Sequence, residues 1–423
     1  MPKPPNPCRP GHAAWIPMNI CFISREYPPQ TGWGGIGTYT RIIAQALAAR
    51  GHAVHVIAVS NTGSAFEYAD HAVHAVHVHR VLPLPFPLPQ GKALYRFRQA
   101  ARAFAFNTLV RLSWAKAAGE KYRELAKTKN FDIVESAECG AEAFYVKPRD
   151  GARLVIRLHT PWSMAAKLDR IDEGRFDTWL TGYFERKTAL RAHGVSSPTQ
   201  ALASILRKQW GLSRIVCYPN PLDADSFSAP ALPGNYIIYT GRVERRKGVH
   251  LLVQAYGMLI KKGIDMPGLL LVGAPFGGIA GQGPYEESIE RLIDSLGVRE
   301  KITWIKKADR DEVVRKLPGA CMAVFPSLWE NFPYACLEAM AAGLPVVASR
   351  CGGYEEIIEE GRSGVLAAPG NAEDLTQCIE RMITDTCLAQ TCGQGGRERV
   401  RVLCNTDAVV LRTEQLYGEC AHG

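Results

Sequence analysis

The stretch Ala320–Ser349 constrains this chain more than any other. Ala320–Phe325 is an apolar run of strand length, and Leu344–Ser349 is a second. Between them lie a loop, Pro326-Ser327-Leu328-Trp329-Glu330, and a helix-favouring run closed by Gly343. Pro333 suits the first helical position, where a missing N–H costs nothing, and Gly343 suits the helix end. The spacing predicts a βαβ unit and hence an α/β fold with a parallel sheet. The N–H groups of Tyr334 and Ala335 would open the helix, where backbone donors attract phosphate. Glu330 sits in the loop above the first strand and Glu338 a turn or so into the helix. Two carboxylates flanking an anion site suit a ligand with both hydroxyls and phosphates, as in a nucleotide sugar.

Pro326–Ser349 resembles the E-x7-E segment of family 4 retaining glycosyltransferases, PSxxEGFGLxxxEAMAxGxPVVxS. The resemblance implies a GT-B fold: two Rossmann-like, doubly wound parallel-sheet domains facing a central cleft. Asn331 and Pro333 replace two glycines of the pattern, and Pro333 has no N–H to offer a sugar hydroxyl.

In the N-terminal half, Asn19–Ser24 and His52–Ser60 read as strands flanking a glycine loop, Gly32-Trp33-Gly34-Gly35-Ile36-Gly37, and a helix to about Arg50. The loop spells G-x-G-x-x-G, the mark of a dinucleotide site. However, its glycines begin about seven residues after the strand, and Ser60-Asn61 stands where an acid would hold a ribose. The loop is similar to the GG loop of family 4, which implies that Gly34 and Gly35 face donor phosphates and acceptor. Leu154–Leu158 is a strand ending in His159-Thr160-Pro161-Trp162, and a histidine at the C-terminal end of a parallel strand is placed to face a ligand. It resembles the family's active-site histidine. Glu138 follows another strand, Phe131–Ser136. Trp33, Glu138 and Trp162 are the acceptor-side candidates.

His71–Val81 alternates like a strand and carries His71, His74, His77 and His79. His77 and His79 share a strand face with no carboxylate or cysteine nearby, so the group reads as exposed strand histidines and not as a metal site. Residues 92–130 read as one long helix or two. Ten basic residues face only Glu120 and Glu124, a surplus of eight within a chain of net charge +9. Phe97, Phe104, Phe106, Leu109, Leu112 and Trp114 interleave with the charges. This is either a solvated helix covering the core or a face for an anionic membrane. No nucleic-acid module is recognisable.

In the C-terminal half, Tyr236–Thr240 starts a new strand, followed by Gly241-Arg242-Val243-Glu244-Arg245-Arg246-Lys247-Gly248, similar to the family's GRxxxxKG. Arg242 and Lys247 lie on a strand-to-helix turn where fixed cations can meet a diphosphate. Arg245 and Arg246 read as solvated. Gly273–Gly283 is a longer glycine loop than the family's usual one. Asp223-Ala224-Asp225 and Asp309-Arg310-Asp311 match D-x-D, a short and common pattern.

At 423 residues the chain suits two domains. The expected division is a disordered 1–17, an acceptor domain over 18–222 and a nucleotide-sugar domain over 223–405. A final helix, about 406–420, crosses back to the first domain. Twelve cysteines lie scattered without a CxxC pair, which fits buried thiols in a reducing compartment. No apolar run reaches transmembrane length, so the expected location is cytoplasmic, with peripheral contact at the inner membrane face.

The resemblance implies a hexosyltransferase that retains configuration at the anomeric carbon, without a glycosyl-enzyme. The donor would be a UDP-sugar first and GDP-mannose next, and the acceptor a saccharide or lipid-linked saccharide. His159, Arg242, Lys247 and Glu330 would be catalytic. Gly34, Gly35, Asn331, Phe332, Tyr334, Ala335 and Glu338 would complete the donor site. Two cations stand in for a metal, so none is expected, nor any other cofactor. A GT-B sugar-nucleotide epimerase, or a nucleotide-sugar-binding protein without transferase activity, is the alternative.

Overall fold

The computed structural model describes residues 16–32, 34–70, 75–86, 104–148, 151–171, 173–227, 234–275 and 284–422. Trp33, His71, His74, nearly all of the 1–17 extension, residues 92–103 and most of the Gly273–Gly283 loop lie outside them.

The strands form two sheets. The first contains β1 (Asn19–Ile23), β2 (Ala53–Val59), β3 (Phe66–Asp70), β4 (Val76–Val81), β5 (Ile133–Ala137), β6 (Arg153–Arg157), β7 (Gly194–Ser197) and β8 (Val216–Cys217). Their order is β3-β4-β2-β1-β5-β6-β7-β8, parallel except where β3 runs against β4. The second contains β9 (Tyr236–Thr240), β10 (Gly268–Val272), β11 (Ile302–Ile305), β12 (Ala320–Phe325), β13 (Val346–Ser349) and β14 (Val365–Ala367). Its order is β11-β10-β9-β12-β13-β14, all parallel. The central strands are buried on both faces, which is why they read as unbroken apolar runs.

Thirteen helices are described: α1 (Gly35–Ala49), α2 (Phe106–Leu125), α3 (Trp162–Leu168), α4 (Arg175–Leu190), α5 (Gln200–Trp210), α6 (Val249–Lys261), α7 (Pro284–Ser295), α8 (Arg310–Lys316), α9 (Tyr334–Ala341), α10 (Tyr354–Ile357), α11 (Ala372–Thr384), α12 (Thr386–Leu403) and α13 (Thr406–His422). Tyr417 on α13 donates to Glu135 on β5 (2.8 Å), and Glu414 takes Arg50 (2.7 Å) and His52 (2.9 Å). The last helix therefore packs on the first sheet, although the chain before it belongs to the second.

Each sheet reverses direction once. The chain moves outward from β1 to β2 and returns to β5 on the other side, and it moves from β9 to β10 and returns to β12. Ligands of doubly wound sheets bind at such reversals, beyond the C-terminal strand ends. The loops at both reversals border one cleft.

One local expectation is corrected here, and one alternative is narrowed. His79 is not an exposed strand histidine: it is buried, with Nδ1 2.8 Å from Glu67 and Nε2 3.0 Å from His55, while His77 is exposed. Glu67 comes from β3, a hairpin partner that the alternation did not reveal. In α2, Leu109, Leu112 and Trp114 face the core, Arg111 pairs with Glu173 (2.8 Å), and Lys121 pairs with Glu67 and Glu124. Of the apolar face read from 92–130, Leu109, Leu112 and Trp114 are thus spent on the first domain's core, while Phe104 and Phe106 stay exposed.

Candidate active site

The cleft is about 570 Å³. From the first domain it is lined by Gly34, Gly35, His159 and Trp162; from the second by Arg242, Lys247, Glu330, Asn331, Phe332, Tyr334, Ala335 and Glu338. Two expected site residues are absent from this lining. Trp33 lies outside the described residues, and Glu138 is fully buried beneath the wall. Both Glu138 oxygens accept from the His159 N–H, at 2.9 and 2.8 Å. Glu138 therefore supports the strand end and is not placed to touch an acceptor.

The second domain's wall is built on a turn that requires glycine. Gly248 has φ +69°, and a Cβ there would lie 1.9 Å from the carbonyl oxygen of Pro326. With no Cβ, the 241–248 turn seats against the loop after β12, and its cations reach Glu330. Lys247 forms an ion pair with Glu330, and Arg246 Nη1 is 2.7 Å from the same oxygen. Burial pushes the Glu330 carboxyl up, but Lys247 and Arg246 together hold it below the usual range, so it stays an anion.

Arg246 is not solvated, as its position in the charged run had implied. It is buried and reaches Glu244 (2.5 Å), Glu330, and Asp169 of the first domain (Nε–Oδ2 3.2 Å). The sequence held no signal for this beyond a third cation beside Lys247, because the anions come from remote segments. Arg242 is half-exposed, 3.5 Å from Glu244, and turned toward the cleft rim.

Pro333 proves to be the residue that caps α9, and the helix opens at Tyr334. The first helical N–H groups have no acceptor within their own helix. Tyr334 donates its hydroxyl to the Pro221 carbonyl (3.2 Å), tying the helix start to the segment that follows β8. Glu338 is buried and paired with Arg310 at 2.8 Å. Burial raises the Glu338 carboxyl, and Arg310 opposes that rise. Arg310 was passed over because it sits inside a D-x-D match. Of that match, Asp309 caps α8 by accepting from Glu312 N (2.7 Å), and Asp225 of the other match pairs with Arg401 (2.6 Å). Among the described residues, no group of three or more His, Cys, Asp or Glu side chains is arranged to hold a metal ion.

Asn331 joins the domains: its Nδ2 donates to the His159 carbonyl, and its Oδ1 accepts from Thr199 (2.5 Å), the cap of α5. His159 itself is partly buried at the cleft wall, with its ring edge-on to Tyr39, centroids 5.2 Å apart. Burial, with the Arg157 charge adding to it, lowers the imidazole to about 3, so it is neutral near pH 7. Under the glycine loop lies Glu26, whose Oε2 would be 2.6 Å from a Cβ at Gly34. A Cβ at Gly34 would displace the Glu26 carboxylate, and the loop borders the cleft.

Two such α/β domains, meeting at a cleft with a strand-to-helix cationic turn and a helix N-terminus, define a glycosyltransferase of the GT-B fold. A sequence profile described as Glycosyltransferase Family 4 matches residues 33–226, and one described as Glycosyl transferases group 1 matches residues 224–399. The chain belongs to this family: it is a group 1, family 4 glycosyltransferase. It is 25% identical to the glycogen synthase of Mycobacterium tuberculosis over 95% of this chain and 94% of that one. Its fold is similar to sucrose-phosphate synthase from Thermosynechococcus elongatus (TM-score 0.76, 23% identity, 95% of this chain and 98% of that one). It is also similar to the Anabaena protein HepE in complex with UDP-glucose (TM-score 0.68, 18% identity, 95% and 100% covered).

Proposed function

We propose that the protein is a retaining hexosyltransferase that moves a hexosyl unit from a nucleoside-diphosphate sugar to a saccharide or lipid-linked saccharide, in polysaccharide or glycolipid synthesis. A UDP-sugar is the favoured donor and GDP-mannose the next. The observation that carries this reading is the convergence, in one cleft, of Arg242, Lys247 and the α9 N-terminus with a buried, ionised Glu330. The cations and the helix N–H groups receive the diphosphate, Glu330 takes sugar hydroxyls, and Glu338 takes the ribose. The UDP-glucose found with HepE supports the donor class.

The step breaks the bond from the anomeric carbon to the diphosphate oxygen and forms one to the acceptor oxygen on the same face. The acceptor's hydroxyl proton passes to the departing phosphate oxygen. Negative charge grows on the diphosphate as it leaves, so Arg242 and Lys247 act mostly in the transition state. Neutral His159 shapes the acceptor side without adding a competing cation. These cations carry the role a metal would have, and no other cofactor enters the reading. The enzyme works in the cytoplasm, where such donors are made. Among the described residues no helix is long and apolar enough to cross a membrane.

The test is incubation with a panel of nucleotide sugars and oligosaccharide or lipid-linked acceptors, with the new linkage read by NMR. A product that keeps the donor's anomeric configuration is expected. Inversion overturns the retaining mechanism, and donor conversion without acceptor favours an epimerase.

A further inference from the structure

The first domain carries an outer surface that the core does not explain. On α4, Phe176, Trp179 and Tyr183 are exposed by 53%, 61% and 43%. Their rings stack in sequence, with centroids 5.8 and 6.1 Å apart and planes 30° and 24° from parallel. Leu190 extends the row, and Phe104 and Phe106 are exposed at the start of α2. The two helix starts are tied together, since the Asp177 carboxylate accepts from the N–H groups of Asn107 and Thr108, both at 2.8 Å. Large aromatics shown to water as a row, and not singly, mark a contact surface.

Charge identifies the occupant. The exposed cations of α4 are Arg175, Arg186 and Lys187. Both of its acids, Asp177 and Glu185, are buried. Glu185 lies on the opposite side of the helix and accepts from Gly140 N (2.9 Å), Trp162 N (2.7 Å) and Ser163 Oγ (2.7 Å). The outer face of α4 is therefore aromatic and cationic, with no acid of the helix exposed.

We propose that this face docks the protein onto an anionic lipid bilayer. A helix with an aromatic row and flanking cations lies in the headgroup plane, the rings entering the interface and the cations meeting lipid phosphates. The placement also orients the site. Trp162 lines the cleft and is held by the inner side of the same helix, so the cleft wall stands about one helix diameter, ~10 Å, from the docked surface. Resting on the transferase reading, this brings the cleft to lipid-linked acceptors. It differs from contact through the basic residues of 92–130 in resting on the α4 ring row, to which 92–130 adds only Phe104 and Phe106.

The experiment is cosedimentation with phosphatidylcholine vesicles, with and without phosphatidylglycerol, at low and high salt. The wild type should sediment with the anionic vesicles and be released as salt rises. The triple change Phe176→Ser, Trp179→Ser, Tyr183→Ser should weaken binding by about tenfold or more. Should it lower the unfolding midpoint, Arg175→Glu with Lys187→Glu tests the same face through charge. Both variants should keep the thermal shift produced by a nucleoside diphosphate. No sedimentation with anionic vesicles at low salt overturns the proposal. So does release by Arg96→Glu, Arg98→Glu and Arg102→Glu alone, with the α4 variants still bound. Loss of a glycan-gel retardation or of self-association in the α4 variants, without a vesicle effect, assigns the face to a saccharide or to a second copy and likewise overturns it. Vesicle binding needs neither donor nor acceptor, so its failure is separate from failure of the transferase reading, which turnover on a soluble acceptor measures.

Discussion

Arg246 and Asp169 meet across the cleft: the guanidinium Nε is 3.2 Å from Oδ2, and the Arg246 backbone N–H is 2.8 Å from Oδ1. One residue of the second domain thus grips a helix end of the first through main chain and side chain together. The same guanidinium holds Glu330 at 2.7 Å. Domain position and the state of the Glu330 carboxylate are coupled through one side chain.

Replacing Arg246 with Ala leaves Glu244, Glu330 and Asp169 with less compensating charge in a buried place. Removing one partner of such a cluster costs about 3–5 kcal/mol. Denaturant unfolding should show that loss, together with weaker donor binding. Asp169→Asn should cost less, since Glu244 and Glu330 keep their partner. Wild-type stability in Arg246→Ala would mean the cluster contributes nothing net.

Arg242→Ala and Lys247→Ala should each lower kcat by about 10²-fold or more, roughly 3 kcal/mol of transition-state stabilisation. Steady-state kinetics with the identified donor measures it. Near-normal turnover in both variants would remove these residues from the diphosphate site.

Glu138 is pushed up to about 8 by burial, with Glu185 adding to the effect against the N–H bonds from His159. Its folded value lies above its unfolded one, so the folded state holds the proton more tightly. The stability this contributes is present below about 4.5 and is lost as pH rises toward 8, by about 1.4 kcal/mol per pH unit for one proton. Glu138→Gln cannot ionise and should flatten that fall. Melting temperatures from pH 5 to 9 compare the two; identical slopes would show that Glu138 does not titrate there.

Activity should survive excess EDTA, because Arg242, Lys247 and the α9 N-terminus supply the positive charge. Loss of turnover that manganese or magnesium restores would hand the diphosphate to a metal.

The GT-B resemblance and most of the cleft were legible in the chain. The 320–349 segment folds as the strand, loop, helix and strand that its apolar runs and Gly343 imply. Arg242, Lys247, Glu330, Tyr334 and Glu338 share the cleft because each occupies a strand-end loop or the first turns of a helix, positions set by local periodicity. Less legible were Glu138, whose place after a strand looked like a site position but lies beneath the wall, and the 92–130 face. Charge and aromatic content can be counted along a helix, but which side meets the core depends on the neighbour packed against it.

By itself, then, the sequence determined where strands, helices and glycine turns fall, since these depend on residues within a few positions of one another. Only the tertiary structure decided that Arg246 is buried among acids, because Asp169 and Glu330 stand 77 and 84 residues away. It also decided that Asn331 clasps His159 from 172 residues away, and that α4 turns its acids inward and its rings outward. A buried charge is tolerable only where opposite charges converge on it, and that convergence is made by the packing of distant segments, which no local pattern encodes.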